Sequence, residues 1–148
     1  FKKYNFILNM SYESLKDKYG KIVKLDISDD KAIIKVDLPV FNIKEMKGKH
    51  VEFVQYVAFI YLKIKEFINE NKSLSNMHIN MKDAGIKHFS PSFLKKVLTP
   101  LNQLVNGDDT EVLEKIYVYH VNKYVKQIWK GVKRLFHPIT VNKFVIVN

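Results

Sequence analysis

The five histidines are the side chains of this sequence best suited to acid–base or metal chemistry. They are His50, His78, His88, His120 and His137. They are scattered, no two have the spacing of one helix face, and a lone histidine is usually a hydrogen-bonded structural residue. We single out only His120, which ends a predicted strand.

Motifs for catalysis are missing as well. The sequence has no cysteine, and its few glycines form neither a nucleophile elbow, a phosphate-binding loop nor a dinucleotide fingerprint. The sequence therefore predicts a protein that is not an enzyme and that uses no cofactor and no metal.

The segment 121–136 has the residue types and spacing to meet a lipid. At about 100° per residue, its basic side chains fall in one arc: Lys123, Lys126, Lys130, Lys133 and Arg134. Its apolar side chains fill the opposite arc: Tyr124, Val125, Ile128, Trp129, Val132, Leu135 and Phe136. Such a helix can touch an anionic membrane with one side and line an apolar cavity with the other. An ordinary surface helix with its apolar side on the core has the same pattern.

Strands and helices alternate around this segment. The predicted elements are a helix at 11–19, strands at 21–27 and 32–36, a helix at 49–69, a strand at 77–81, a helix from Ser90 that Pro100 should kink or split, a strand at 115–120, a helix at 121–136 and a strand at 143–147. The first two strands form a hairpin, and the later ones are joined by helical crossovers. The pattern predicts an α/β fold with a mixed, mostly parallel sheet.

Length and composition fit a single globular domain. The chain has 148 residues, 47% of them hydrophobic, and its longest apolar run, Val57 to Leu62, is too short to span a bilayer. The net charge of +10 would attract nucleic acid or anionic membrane. Arg134 is the only arginine, and arginine is the preferred residue for phosphate and base recognition. We therefore expect no nucleic acid as a partner.

Three stretches within the last forty residues follow a known family pattern: Glu111 to His120, Trp129 to Lys133, and His137 to Ile146. The pattern is P-E-R-L-G-K-x-Y-I-I-N-A-P, a helix, and then D-P-x-T-x-x-K-I-x-I. Through these stretches the chain resembles the CRAL-TRIO family of lipid-binding and lipid-transfer proteins. Asp30 to Val36, and His78 to Lys82 with Gly85, resemble earlier family strands more weakly.

The resemblance implies a three-layer domain whose mixed sheet, flanked by helices, carries an apolar pocket for one lipid. A mobile gate helix would correspond to 121–136, and its pocket side to Tyr124, Val125, Ile128, Trp129, Val132 and Phe136. In members that bind phosphatidylinositol, a glutamate, a threonine and a lysine contact the headgroup. The matching residues are Glu111, Thr140 and Lys143. In the alternative, purely structural interpretation, Glu111 is a helix-start carboxylate, Thr140 a turn hydroxyl and Lys143 a strand-edge charge.

The sequence also departs from the family pattern. His120-Val121-Asn122 replaces N-A-P, and His137 replaces the aspartate of D-P-x-T. We expect a single domain over 1–148 that lacks the family's N-terminal helical region and its closing C-terminal segment. The first hypothesis is a cytoplasmic, monomeric carrier that transfers or presents one phospholipid and touches anionic membranes transiently. The alternatives are a family-like scaffold that docks to membranes or proteins without transferring lipid, and a basic nucleic-acid binder.

Overall fold

The computed structural model describes residues 10–88, 90–106 and 112–147. Its elements are α1 (Tyr12–Tyr19), β1 (Val23–Ile27), β2 (Ala32–Asp37), a 3₁₀ turn (Leu38–Val40), α2 (His50–Asn71), β3 (Ser75–Asn80), α3 (Pro91–Asn106), β4 (Leu113–Tyr119), α4 (Lys123–Val132), a second 3₁₀ turn (Lys133–Leu135), α5 (Pro138–Val141) and β5 (Phe144–Val147). No helix within these ranges is long and apolar enough to cross a membrane.

The five strands form one sheet in the order β1-β2-β3-β4-β5. The β1–β2 pair is an antiparallel hairpin, and the other three pairs are parallel. The expected α/β class and mixed, mostly parallel sheet are therefore confirmed. Because β2 to β5 run in one direction, their ends define a carboxyl edge at Asp37, Asn80, Tyr119 and Val147. Their starts define an amino edge at Ala32, Ser75, Leu113 and Phe144.

The hydrophobic core lies between one face of the sheet and the helices. On β2, Ala32 and Ile34 are buried on this face, whereas Lys35 between Ile34 and Val36 is exposed. Side chains of α1, α2, α3 and α4 join the same cluster. Right-handed crossovers between strands that follow one another in one direction place their helices on one face, which explains this arrangement. Within the described ranges, the core residues of the helices therefore form one layer, and the other sheet face carries half-buried and exposed side chains.

Helix α2 is the central element of the core. Tyr56, Ile60 and Ile64 are almost completely buried, and full burial of each aliphatic side chain contributes about 1.5–3 kcal/mol. The Tyr56 hydroxyl donates a hydrogen bond to the Val23 carbonyl oxygen at 2.6 Å. Burial raises the pKa of Tyr56 to about 12, so this tyrosine stays a neutral donor that ties α2 to β1.

One helix prediction was wrong in its end point. The helix predicted at 121–136 ends at Val132, and Lys133–Leu135 form a 3₁₀ turn. Pro138 disfavours helical backbone at His137, and a tighter last turn is a common helix ending. Lys133 and Arg134 therefore leave the helical basic arc. Pro100, which was expected to kink or split its helix, lies inside α3 without ending it.

Candidate functional site

Helix α4 begins at a well-anchored cap. The Asn122 side chain accepts a hydrogen bond from the Val125 backbone at 2.9 Å and donates one to the Ala84 carbonyl oxygen at 2.9 Å. His120, just before the cap, has φ 61°, in the left-handed region that histidine adopts more readily than most residues. The link from β4 into α4 is thus a sharp turn fixed to the loop after β3.

The apolar side of α4 packs onto the core. Val125 and Val132 are buried, while Tyr124 and Ile128 are half-buried and touch the core cluster. The half-buried rings of Trp129 and Phe136 surround Phe144 of β5: the Trp129–Phe144 centroids are 4.6 Å apart and the Phe136–Phe144 centroids 5.5 Å. The six residues predicted to line a pocket are thus all buried or half-buried, and their role in lining a lipid pocket stays a prediction.

The basic side of α4 points away from the core. Lys123, Lys126 and Lys130 are all exposed. Over its ten residues, α4 is therefore amphipathic, as its sequence predicts. Its lysines face solvent and its apolar side chains face the core.

Thr140 and Lys143 meet at the amino edge of the sheet. His137 caps α5 by accepting a hydrogen bond from the Ile139 backbone at 3.2 Å. The Lys143 backbone N–H then donates to the Thr140 carbonyl oxygen at 3.0 Å, and the Ile116 N–H donates to the Lys143 carbonyl oxygen at 2.9 Å. Both Thr140 and Lys143 are half-buried. Two of the three predicted headgroup residues thus lie in one turn before β5, beside Ile116 in the middle of β4.

Glu111, the third predicted headgroup residue, lies outside the described residues. Val112, the next residue along the chain, accepts a hydrogen bond from the Ser75 backbone at 3.0 Å. The backbone just before β4 is therefore hydrogen-bonded to the first residue of β3, at the amino edge of the sheet.

Ser75, at the same edge, was missed by the sequence analysis. Its side chain is fully buried, and its hydroxyl has no hydrogen-bond partner among the described residues. Leaving a buried polar group unpaired costs about 1–3 kcal/mol, so an unpaired hydroxyl here is a candidate contact for a ligand. A serine at the start of a short strand carries no sequence signal for this, because its burial depends on the pairing of β3 with β4.

Two further buried polar atoms lack partners within the described ranges, both on α2. They are Gln55 Oε1 and the Tyr61 hydroxyl. Burial raises the pKa of Tyr61, so its hydroxyl remains a donor. Helix α2 therefore carries unmet hydrogen-bonding capacity among its buried side chains, within the described part of the chain.

A cavity of about 770 Å³ lies mainly over the opposite face of the sheet. Its lining residues are Gly20, Lys21, Lys24, Ile33, Lys35, Val36, Asp37, Val40, His78, Asn80 and Tyr119. His78 Nδ1 is 2.7 Å from the Tyr119 hydroxyl, and Asn80 donates to Asp37 at 3.0 Å. Among the described residues, none that the sequence assigned to the lipid pocket or headgroup lines this cavity.

The histidines have structural surroundings. His88 is buried and its Nδ1 accepts a hydrogen bond from the Gly85 backbone at 2.9 Å. His78 stacks on Tyr117, with ring centroids 5.0 Å apart. In the part of the chain that the structure describes, no three histidine or acidic side chains are grouped to hold a metal ion.

A family model described as the CRAL/TRIO domain matches residues 17–148. The chain belongs to the CRAL/TRIO domain family. The predicted resemblance is therefore confirmed, and membership of this family supports lipid binding or transfer in general terms. A comparison with curated proteins gives no match.

Among solved structures, this CRAL/TRIO domain is similar to the crystal structure of Sfh5. The two share 15% sequence identity with a TM-score of 0.67, and the match covers 97% of this chain and 54% of Sfh5. At this identity the likeness shows the fold alone. The chain spans about half the length of that protein.

Because the apolar side of α4 is buried, a ligand that binds beneath this helix must offset the free energy of exposing it. Lifting α4 from this CRAL/TRIO domain would expose Val125 and Val132, at about 1.5–3 kcal/mol for each side chain. Trp129, Phe136 and Ile128 would add to that cost. A ligand could bind beneath α4 only if it buried a comparable apolar surface. Acyl chains can do so, and small polar molecules cannot.

Proposed function

We propose that this chain binds a single membrane lipid, phosphatidylinositol or another phospholipid, and transfers or presents it between membranes. The observation that carries the proposal is the position of α4: a helix with a basic outer side and an apolar inner side covers the sheet within a CRAL/TRIO domain. On this proposal the protein is a cytoplasmic, monomeric carrier that visits membranes transiently and catalyses no reaction.

The acyl chains would replace α4 on the core. About 0.8 kcal/mol is lost for each methylene taken from a bilayer, so a carrier must offer apolar surface of similar quality. The undersides of Val125, Ile128 and Val132, together with the sheet face below them, are such a surface. Closing α4 over the chains would restore the burial that opening removes.

The headgroup would lie at the amino edge. Lys143 supplies a cation for a phosphate, and Thr140 and Ser75 supply hydroxyls. Glu111 remains a predicted fourth contact on sequence grounds. The unpaired Ser75 hydroxyl supports this placement, because a bound headgroup would satisfy a group that is otherwise buried at a cost.

The test is to identify lipids captured from membranes. The purified chain is incubated with liposomes of phosphatidylinositol and phosphatidylcholine, separated from them, and its bound lipids are quantified by mass spectrometry. We expect about one lipid per protein, since one closed core has room for one set of chains. An empty protein would contradict the carrier proposal and favour a scaffold that does not transfer lipid.

Lys143→Ala then tests the headgroup site. It should reduce captured phosphatidylinositol about tenfold, the effect of losing roughly 1.4 kcal/mol from a charged hydrogen bond, while phosphatidylcholine capture persists. Lys31→Ala is the matched control, because it removes the same charge from the exposed β1–β2 turn. Equal losses in the two variants would assign the effect to net charge and remove the proposed headgroup site.

A further inference from the structure

Among the described residues outside the strands, three large apolar side chains are exposed around the carboxyl edge of the sheet. Val40 follows β2 and is 47% exposed, Val51 lies in the first turn of α2 and is 41% exposed, and Ile86 lies in the loop after β3 and is 76% exposed. Single exposed apolar side chains are common on protein surfaces. The position of these three beside lysine-rich loops is what sets this edge apart.

The loops that carry them are tied together. The Ile43 backbone donates a hydrogen bond to the Lys87 carbonyl oxygen at 3.0 Å, which joins the segment after β2 to the loop after β3. Asn122 joins that loop to the cap of α4 at Ala84. Beneath them, Phe41 and His88 are buried. Ile86 is thus displayed by a supported surface, which we call the docking edge: residues 38–51 and 81–88.

Charge distinguishes the docking edge from the other end of the sheet. Residues 38–51 and 81–88 contain Lys44, Lys47, Lys49, Lys82 and Lys87 against Glu45 and Asp83, so their net charge is 5 − 2 = +3. All five lysines are exposed. At the amino edge, the β1–β2 turn (28–31) and the end of α2 (66–74) hold two lysines against four acids, a net −2. Leu74, also exposed, lies in the second of these acidic segments, and the exposed Ile27 directly precedes the first.

The helix directions add to the positive charge. In each crossover a helix starts near the carboxyl edge, so α2, α3 and α4 direct their N-terminal ends toward it. Helix N-termini carry partial positive charge. The exposed Lys123, in the first turn of α4, extends the same field.

We infer that the docking edge binds an anionic bilayer surface, with Ile86 inserted among the lipids and the surrounding lysines on the headgroups. Stable membrane attachment needs two weak signals together, and this edge combines apolar insertion with a basic patch. The inference rests on the proposed function only in that a carrier must reach a membrane. It names the surface that does so, and places it beside the anchored cap of α4.

The experiment measures flotation of the chain with phosphatidylcholine vesicles, with and without phosphatidylserine. We expect binding to vesicles that contain phosphatidylserine. Ile86→Asp should lower that binding about tenfold, because it removes one inserted aliphatic side chain and adds a like charge. The double variant Lys82→Glu/Lys87→Glu should lower it by about the same factor and make it insensitive to phosphatidylserine.

Ile27→Asp is the matched control, since Ile27 is 52% exposed but lies at the amino edge; its binding should stay within about twofold. Ile86→Gln serves as a second, uncharged variant, and circular dichroism checks the fold of each. Equal losses for Ile86→Asp and Ile27→Asp, or no vesicle binding by the unaltered chain, would overturn the docking edge. The docking edge would also be overturned if Ile139→Asp, beside the proposed headgroup site, lost vesicle binding while Ile86→Asp kept it. Flotation does not depend on lipid capture, so failure here and failure of the carrier proposal can be told apart.

Discussion

Glu52 shows how single side chains join α1 to α2. The Tyr19 hydroxyl donates a hydrogen bond to its carboxylate, and the Lys18 ammonium lies 3.2 Å from it. The Tyr19 hydrogen bond is the main cause that lowers the pKa of Glu52, with Lys18 adding to it. Burial and the same partner raise the pKa of Tyr19. The pair therefore favours a charged carboxylate and a neutral phenol in the folded protein.

This pair predicts an acid-sensitive contribution to stability. A carboxyl whose pKa is lowered by folding stabilises the fold above its ordinary value of 4.5, and that contribution disappears as the pH falls through the lowered value. Glu52→Gln should reduce the free energy of unfolding by about 1 kcal/mol at pH 7 and leave it unchanged near pH 3. Urea denaturation at both pH values measures this.

Asp26 is the matched control for that experiment. Its pKa is also lowered, chiefly by Lys35 at 3.0 Å. It is more exposed than Glu52, so solvent screens its ion pair. Asp26→Asn should change stability less than Glu52→Gln at pH 7. The reverse order would show that the α1–α2 contact is not the stronger of the two.

A family motif can name single residues because it fixes their place in the chain. Thr140 and Lys143 were named from such a motif; their backbones share a hydrogen bond, and their contact with a headgroup stays a prediction. Ser75 was not named, because its significance comes from burial and from a missing hydrogen-bond partner. Both properties arise only when β3, β4 and the helices pack, and no local pattern around Ser75 records them.

At the scale of elements, α4 combines a fixed start with an underside made for apolar contact. Its cap is held by Asn122, whereas its far end passes into a 3₁₀ turn beside the ring cluster of Trp129, Phe136 and Phe144. Sequence periodicity predicted the two sides of this helix correctly. It overran the end by four residues, because amphipathic spacing continues through Lys133 and Arg134 although the backbone does not.

The fluorescence of Trp129 on α4 can report lipid binding. Trp129 is the only tryptophan in the chain, and it packs against the ring of Phe144. If acyl chains enter beneath α4, this indole must part from Phe144 and meet lipid. Phosphatidylinositol with brominated acyl chains should then quench Trp129 fluorescence, and the unbrominated lipid should not.

The interpretation depends on an independent count of bound lipid. Quenching at about one lipid per protein would place the chains under α4. Full lipid occupancy with unquenched Trp129 would place them elsewhere, and the cavity over the opposite sheet face would then become the site to examine.

At the scale of the whole molecule, the topology was predictable because it depends on order along the chain. Alternating strand and helix patterns, together with right-handed crossovers, lead directly to parallel pairing of β2 with β3, β3 with β4 and β4 with β5. The expected sheet with flanking helices is confirmed. The cavity over the sheet face that carries Lys24, Lys35 and His78 was not predicted, because it forms only when the strands pair.

Lipid binding should stabilise the whole domain, and this separates a carrier from a scaffold. A ligand that binds only the folded state at one hundred times its Kd adds about 2.7 kcal/mol. For a domain of 148 residues, that corresponds to a rise in Tm of about 5–10 °C. Differential scanning calorimetry with short-chain, monomeric phosphatidylinositol measures the shift without vesicles, so the docking edge plays no part.

Lys143→Ala should reduce the rise in Tm that phosphatidylinositol produces and leave any rise that phosphatidylcholine produces unchanged. A scaffold that carries no lipid would show no change in Tm with either, even if it floats with anionic vesicles. A rise produced by RNA and retained at moderate salt would instead favour nucleic-acid binding, because purely electrostatic association weakens steeply as salt increases.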